Sequence, residues 1–176
     1  HYIDLLRYLV GDIKNVFCKM KTLNARIEVE DSVVGNFEFE NGAIGSLEVT
    51  TAARPKDYEA TIALIGTKGV AKIGGLAANI MEEFSPNPKL CKKYSENIPD
   101  AYGFGHFKLY NDISKVLLFK KIFPVSSSDC INTIRLLNSF YVSDELKRNV
   151  VVSKTKDSKR LGDLEIWIEE EREWKF

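Results

Sequence analysis

Residues Val33–Thr51, VVGNFEFENGAIGSLEVTT, constrain the fold more than any other stretch of this chain. Two runs of alternating apolar and polar residues flank Glu40-Asn41-Gly42, and such alternation sends successive side chains to opposite faces of a pleated strand. The pattern predicts a β-hairpin, and its register follows from the requirement that paired residues share a face. A two-residue turn at Asn41-Gly42 pairs Phe37 with Ser46 and Phe39 with Ile44, which puts Leu47 and Val49 on the wrong side. A three-residue loop with Gly42 in the left-handed region instead pairs Phe39 with Ala43, Phe37 with Gly45, Gly35 with Leu47 and Val33 with Val49. The second register is expected. It gathers the apolar residues on one face and leaves Asn36, Glu38, Ser46, Glu48 and Thr50 on the other, interrupted only by Val34 and Ile44.

A chain of 176 residues with 44% hydrophobic content can bury one well-packed core, whereas two full domains would each be small. The 25 basic and 25 acidic residues cancel, so no global field draws in nucleic acid or an anionic membrane, and neither partner is expected. No apolar run approaches the roughly 20 residues that span a bilayer, and no basic-then-apolar leader opens the sequence. Cys18, Cys91 and Cys130 are odd in number and widely spaced, which predicts a reduced, cytoplasmic protein without a zinc site.

The chain opens on HYIDLLRYLVG. Ile3, Leu6 and Val10, with Leu5 and Leu9 beside them, recur at helical spacing, and Gly11 is placed as a C-terminal cap. A helix already under way at the first residue, with no cap of its own, points to a segment cut from a longer polypeptide. From Ile13 the pattern turns to β, alternating imperfectly over Val16–Val29. A strand is expected over Tyr58–Ile65, a turn at Gly66-Thr67-Lys68-Gly69, a strand at Val70–Ile73, and another through Asn79–Phe84. Pro86, Pro88 and Pro99 mark a looser excursion to Asp100. The second half reads as helical. His106, Leu109, Ile113 and Val116 or Leu117 trace one face of the first helix. Cys130, Ile134, Leu137 and Tyr141 form the stripe expected to pack on the sheet face carrying Phe37 and Phe39. Lys147, Lys154, Lys156 and Lys159 fall in a polar, solvated stretch, and Leu164–Phe176 alternates weakly, as an edge strand does.

Chemistry-bearing motifs are sparse. The loop at Gly66–Gly69 lacks the GxxxxGK[ST] spacing and joins two strands, so it reads as a hairpin turn. Gly103-Phe104-Gly105 has no third glycine and no strand feeding it closely, so a dinucleotide fingerprint is not supported. No GxSxG elbow is present. The two histidines, His1 and His106, lie in no metal-ligand spacing. A histidine is the residue type suited to proton transfer near neutrality, but nothing in the spacing selects one of the two.

Taken in order, HYIDLLRYLVGDIKNV, DSVVGNFEFENGAIGSLEVTTAARP, IALIGTKGVAKI, YGFGHFKLYNDI and FPVSSSDCINTIRLLNSFYVS resemble the C-terminal domain of the glucose-fructose oxidoreductase, inositol dehydrogenase and MocA (Gfo/Idh/MocA) family. Within that family they look most like the sugar-nucleotide branch, which includes UDP-N-acetylglucosamine and UDP-N-acetylglucosaminuronate dehydrogenases. The resemblance implies an α+β fold, a large, mainly antiparallel sheet with helices packed on one face. Residues 1–162 would form a substrate-binding and oligomerisation domain, followed by a tail, 163–176. It implies that a missing N-terminal Rossmann domain supplies the NAD or NADP site, so that no cofactor is expected on this chain alone and the chain alone is expected to be inactive. A sugar or sugar-nucleotide substrate and a homo-oligomer formed through the sheet are implied as partners. By the same resemblance His1 matches the histidine of the family's H-x-x-D helix, which assists proton removal from the sugar hydroxyl. His106 and Tyr110 match a segment near the substrate. Arg54, a basic side chain near the end of the second hairpin strand, is the expected partner of an anionic sugar or phosphate. The competing expectation is a stand-alone binding or assembly module that has kept the sheet and lost the cofactor domain.

Overall fold

The computed structural model describes residues 1–161 apart from residues 28 and 57; the expected edge strand in Leu164–Phe176 lies outside the described residues. The chain separates into two compact units, His1–Pro55 with the segment from Ser127 onward, and Lys56–Ser126. The first contains helix α1 (Tyr2–Val10), strands β1 (Ile13–Lys21), β2 (Ser32–Phe39) and β3 (Ile44–Thr50), then helix α4 (Ser127–Leu146), strand β7 (Val150–Val151) and a 3-10 turn, Val152–Lys154. The second contains β4 (Ile62–Gly66), β5 (Gly69–Gly74), β6 (Ile80–Phe84), α2 (Lys89–Tyr94) and α3 (Gly105–Phe119). Both sheets are antiparallel, in the orders β3-β2-β1-β7 and β4-β5-β6, and helices cover the apolar face of the first. The α+β expectation is met.

The central hairpin folds in the three-residue register. Val33 faces Val49, Gly35 faces Leu47 and Phe37 faces Gly45, and the Phe39 N–H donates to the Ala43 carbonyl at 2.8 Å. Gly42 has φ +86°, where a side chain would be strained. Gly45 is required for a second reason: the Phe37 ring lies over it, and a Cβ there would sit 2.4 Å from the ring. Phe37 and Phe39 are buried and meet edge to face, centroids 5.4 Å apart, a favoured aromatic geometry.

Strand β1 explains the imperfect alternation of its sequence. Its pairing with β2 slips between Ile13 and Asn15, and this irregularity brings Ile13 onto the same buried face as Val16, Cys18 and Met20 although it lies three residues, not two, from Val16. The strand ends at Lys21, earlier than the alternation implied. Beyond it Asp31 gathers the loop, its carboxylate accepting from the N–H groups of Leu23, Asn24 and Ala25 at 2.7–2.8 Å. Those backbone donors hold its pKa well below the usual carboxylate range.

Helix α4 lies across β1. The stripe read from the sequence is displaced: Cys130 is exposed and Ile134 is 61% exposed, whereas Leu136 and Phe140 are fully buried in the core. Leu137 and Tyr141 do reach the core, at its margin and within it. The face is set by polar residues as much as by apolar ones. Strand β7 covers β1 only at Asn15 and Val16, so the next inward-facing amides on that edge need partners. The Cys18 N–H donates to Ser143 Oγ at 3.0 Å, and the Met20 N–H donates to Asp144 Oδ1 at 3.2 Å. The Ser143 hydroxyl in turn donates to the Arg148 carbonyl. Burial works against the charged form of Asp144, but the Met20 amide, Arg160 at 2.9 Å and Lys147 outweigh it and hold its carboxyl below the ordinary value.

In the second unit, Gly66 pairs with Gly69 across Thr67-Lys68, the expected hairpin turn. The expected strand from Tyr58 begins only at Ile62, and the proline-bracketed excursion contains α2. The anticipated face of α3 is half-buried at Ile113 and Val116 and exposed at His106, Leu109 and Leu117.

Two outcomes follow from the seating of α4. Leu136→Ala is expected to lower unfolding free energy by about 2–5 kcal/mol, while Ile134→Ala stays within about 0.5 kcal/mol, measured by urea denaturation; equal losses would restore the displaced stripe. Asp144 titrates lower folded than unfolded, so its contribution is full above the unfolded carboxylate value of about 3.9 and is lost as pH falls through its folded value. Asp144→Asn is therefore expected to flatten the acid limb of the stability-pH curve below about pH 4, and an unchanged limb contradicts this assignment.

Candidate functional site

The sequence of α1 alternates what it buries with what it presents. Ile3, Leu6 and Val10 pack against the core, and Gly11, at φ +114°, closes the helix with its N–H on the Arg7 carbonyl at 2.8 Å. His1 sits at the N-cap position, exposed, its carbonyl accepting from the Leu5 N–H at 2.8 Å and its side chain making no capping bond. The imidazole therefore stands at the leading end of a helix whose body is fixed.

The side chain that fixes it is one the sequence reading passed over. Arg7 is only 7% exposed. Its Nε and Nη2 donate to Asp12 Oδ1 at 2.9 and 2.7 Å, and Nη2 also reaches Asp129 Oδ1 at 3.0 Å. Nη1 donates to Thr133 Oγ1 at 2.6 Å and to the Asp129 carbonyl at 3.3 Å. The Thr133 hydroxyl, accepting from Arg7, donates its own proton to Asp4 Oδ1 at 2.5 Å. Burial lowers the stability of the guanidinium charge, but the bonds to Asp12 and Asp129 more than offset it and the pKa is raised. Asp4, the aspartate three residues after His1, is thus engaged with α4. An arginine on an amphipathic helix reads as solvent-facing from sequence, and only its bonds to Asp12 and to Asp129 and Thr133, the last two distant in the chain, reveal otherwise.

Arg54 follows β3 in the same unit. Its guanidinium donates to the carbonyls of Thr51 and Ala53 at 3.2 and 2.8 Å, which curls the side chain over its own turn while leaving it exposed. His106 and Tyr110 lie in the second unit, four residues apart on α3 and therefore neighbours on one helix face. Both are exposed, and the His106 ring lies 5.7 Å from that of Tyr102, tilted by 52°.

Other reactive groups are poorly placed for catalysis. Burial, then the nearby Asp144 and Glu30, push the Cys18 thiol up to about 12, far from the thiolate a nucleophile requires. Hydrogen bonds to Glu59 at 2.9 Å and Glu82 at 3.0 Å raise the Lys72 pKa, the opposite of what a lysine base needs. Tyr141 donates to Glu30 at 2.6 Å, and desolvation with that carboxylate raises its pKa. Among the described residues no three His, Cys, Asp or Glu side chains converge as a metal site, and no helix is long and apolar enough to cross a membrane. A shallow hollow of about 550 Å³ opens on the outward face of the first sheet, lined by Asn15, Asn36, Glu38, Ser46, Asn149 and Ile44 among others.

Comparison with known proteins gives these positions a context. Residues 1–72 match the family profile described as the GFO/IDH/MocA C-terminal domain. The chain is similar to the WlbA dehydrogenase from Bordetella pertussis, solved in complex with NADH and UDP-GlcNAcA, with 31% identity and a TM-score of 0.77 over 86% of this chain and 45% of that one. It is similar to the WlbA dehydrogenase from Chromobacterium violaceum, solved with the same two molecules, with 32% identity and a TM-score of 0.74 over 86% of this chain and 43% of that one. A levoglucosan dehydrogenase shares the fold, at 21% identity and a TM-score of 0.67 over 85% of this chain and 47% of that one. The chain thus spans less than half the length of these solved proteins. No curated protein sequence matches it.

Proposed function

On the premise that the chain belongs to the GFO/IDH/MocA family, whose C-terminal domain it carries, we propose that it is the substrate-binding and oligomerisation part of an NAD(P)-dependent dehydrogenase. Its substrate is a sugar or sugar nucleotide, with a UDP-linked N-acetylhexosamine or its uronate the leading candidate. One observation carries the reading: similarity above 30% identity over 86% of the chain to two dehydrogenases solved with NADH and UDP-GlcNAcA. The α+β layer and the exposed imidazole at the head of a rigidly seated helix are compatible with it. Residues 1–162 are assigned to this role and 163–176 to a tail.

In this reading a Rossmann domain outside the chain would hold the nicotinamide, whose chemistry would be to serve as hydride acceptor for the carbon being oxidised. His1 takes the proton of the hydroxyl on that carbon as the carbonyl forms, a task suited to an imidazole whose ordinary pKa is about 6.5. His106 and Tyr110 offer hydrogen bonds to the sugar, and Arg54 offers charge to its phosphate or carboxylate. The outward sheet face carries Ile44, 84% exposed, and Val34, 58% exposed. These apolar interruptions of a polar face suit contact with a second copy.

The test is expression of the chain together with the gene segment that precedes His1, followed by assay of NADH formation with UDP-N-acetylglucosaminuronate and related sugar nucleotides. Turnover is expected with at least one of them, and His1→Ala is expected to lower kcat by about 10²–10⁴-fold. The chain alone is expected to show no saturable NAD binding by calorimetry. Micromolar binding to the chain alone contradicts the placement of the cofactor site, and undiminished turnover in His1→Ala contradicts the role of His1.

A further inference from the structure

We propose that Arg7 and Thr133 form a positioning relay that sets the placement of His1 against the substrate; the inference rests on the reading of His1 as the proton acceptor. Its basis is the direction of the bonds and the burial of the Arg7 side chain from which they start. Arg7 sits nearly two turns along α1 from His1, on the face that α1 turns to α4. Its guanidinium uses all three nitrogens, on Asp12 at the end of α1's own connection and on Asp129 and Thr133 in the first turns of α4. Such a fork fixes rotation as well as distance, because its planar donors meet several acceptors at once.

Thr133 extends the restraint towards His1. Its one hydroxyl proton goes to Asp4 Oδ1, while its oxygen accepts from Arg7 Nη1, so the bonds run in one direction from guanidinium to hydroxyl to carboxylate. Asp4 lies in the first turn of α1, three residues from His1, and its carboxylate is also 3.6 Å from Arg7 Nη1. The first turn is therefore tied to α4 twice over, through Arg7 and through Asp4. Apolar packing by Ile3, Leu6 and Val10 supplies attraction without direction, and it leaves the helix free to slide or roll by fractions of an ångström. The relay removes that freedom. Displacements of about 1 Å at a reacting group cost up to about 10²-fold in rate, so a residue that touches no substrate can still govern turnover.

Four variants of the protein expressed with the segment preceding His1 test this: Thr133→Val, which keeps the shape and removes the hydroxyl, Arg7→Met, and each of these combined with His1→Ala. In a folded Thr133→Val protein, kcat is expected to fall by about tenfold or more with KM within about twofold. The deuterium isotope effect on kcat from substrate labelled at the oxidised carbon is expected to rise, because the transfer step becomes more limiting. In the His1→Ala background the same change is expected to have little further effect, since the relay acts through the histidine. A merely structural role lowers the folded fraction, which leaves the isotope effect unchanged and adds to the His1→Ala loss. Wild-type kcat and isotope effect in folded Thr133→Val overturn the proposal, as does additivity with His1→Ala. Should Arg7→Met fail to fold, Thr133→Val alone decides. Full activity in His1→Ala by itself overturns the underlying reading of His1, and the relay with it.

Discussion

The first unit depends on α4 lying across β1, and that seat is held by two unlike forces. Leu136 and Phe140 bury apolar surface against Val16, Cys18 and Phe37, which supplies most of the attraction. Ser143 and Asp144 supply the register, because each meets a particular backbone N–H of β1 that its short neighbour β7 cannot reach. Buried donors left without acceptors are costly, so sliding α4 along the sheet is penalised at two points. Arg160 and Lys147 close the same cluster by neutralising Asp144, and Arg160 also lies 5.3 Å from the Tyr141 ring.

Everything at the other end of α4 inherits this seat. Asp129 and Thr133 occupy its opening turns, and through Arg7 they fix α1. The imidazole of His1 is therefore referred, by way of α1, α4 and β1, to the same sheet whose second hairpin strand leads to Arg54. A proton acceptor, the role proposed for His1, needs such a frame, since geometry decides before pKa whether it can act. A rigid sheet with one covered and one open face also separates two tasks. The covered face positions α1, and the open face, with Ile44 and Val34 exposed, is the one proposed for association.

Sequence reading succeeded where one local rule acted alone. The register of the central hairpin was legible because Gly42 admits a left-handed residue and because only one loop length keeps Phe37, Phe39, Leu47 and Val49 together. The opening helix and its Gly11 cap were legible for the same reason. The face of α4 was not, because Ile131, Ile134, Leu137 and Val142 scatter apolar residues around the helix, and the sheet side is marked by Ser139, Ser143 and Asp144. Polar residues chosen to satisfy strand amides carry no periodic signal. Helix α2 was hidden by its flanking prolines and its lysines, and the early end of β1 by a loop whose organiser, Asp31, acts on backbone amides. Of the site, His1, His106 and Tyr110 came from family resemblance, and Arg54 from its charge near a strand end. Arg7 was out of reach, since most of its partners lie more than 120 residues further along the chain and the nearest, Asp12, lies beyond the end of its own helix.

The central claim is that α1 presents His1 to the reacting hydroxyl of a sugar. A crystal structure of the protein, including the segment that precedes His1, with NADH and UDP-GlcNAcA bound tests it most directly. The account predicts an imidazole nitrogen of His1 within about 2.6–3.2 Å of a sugar hydroxyl, on the carbon that faces the nicotinamide, with the Arg7-Thr133-Asp4 bonds intact. A sugar bound away from the head of α1, with His1 turned to solvent, would contradict it.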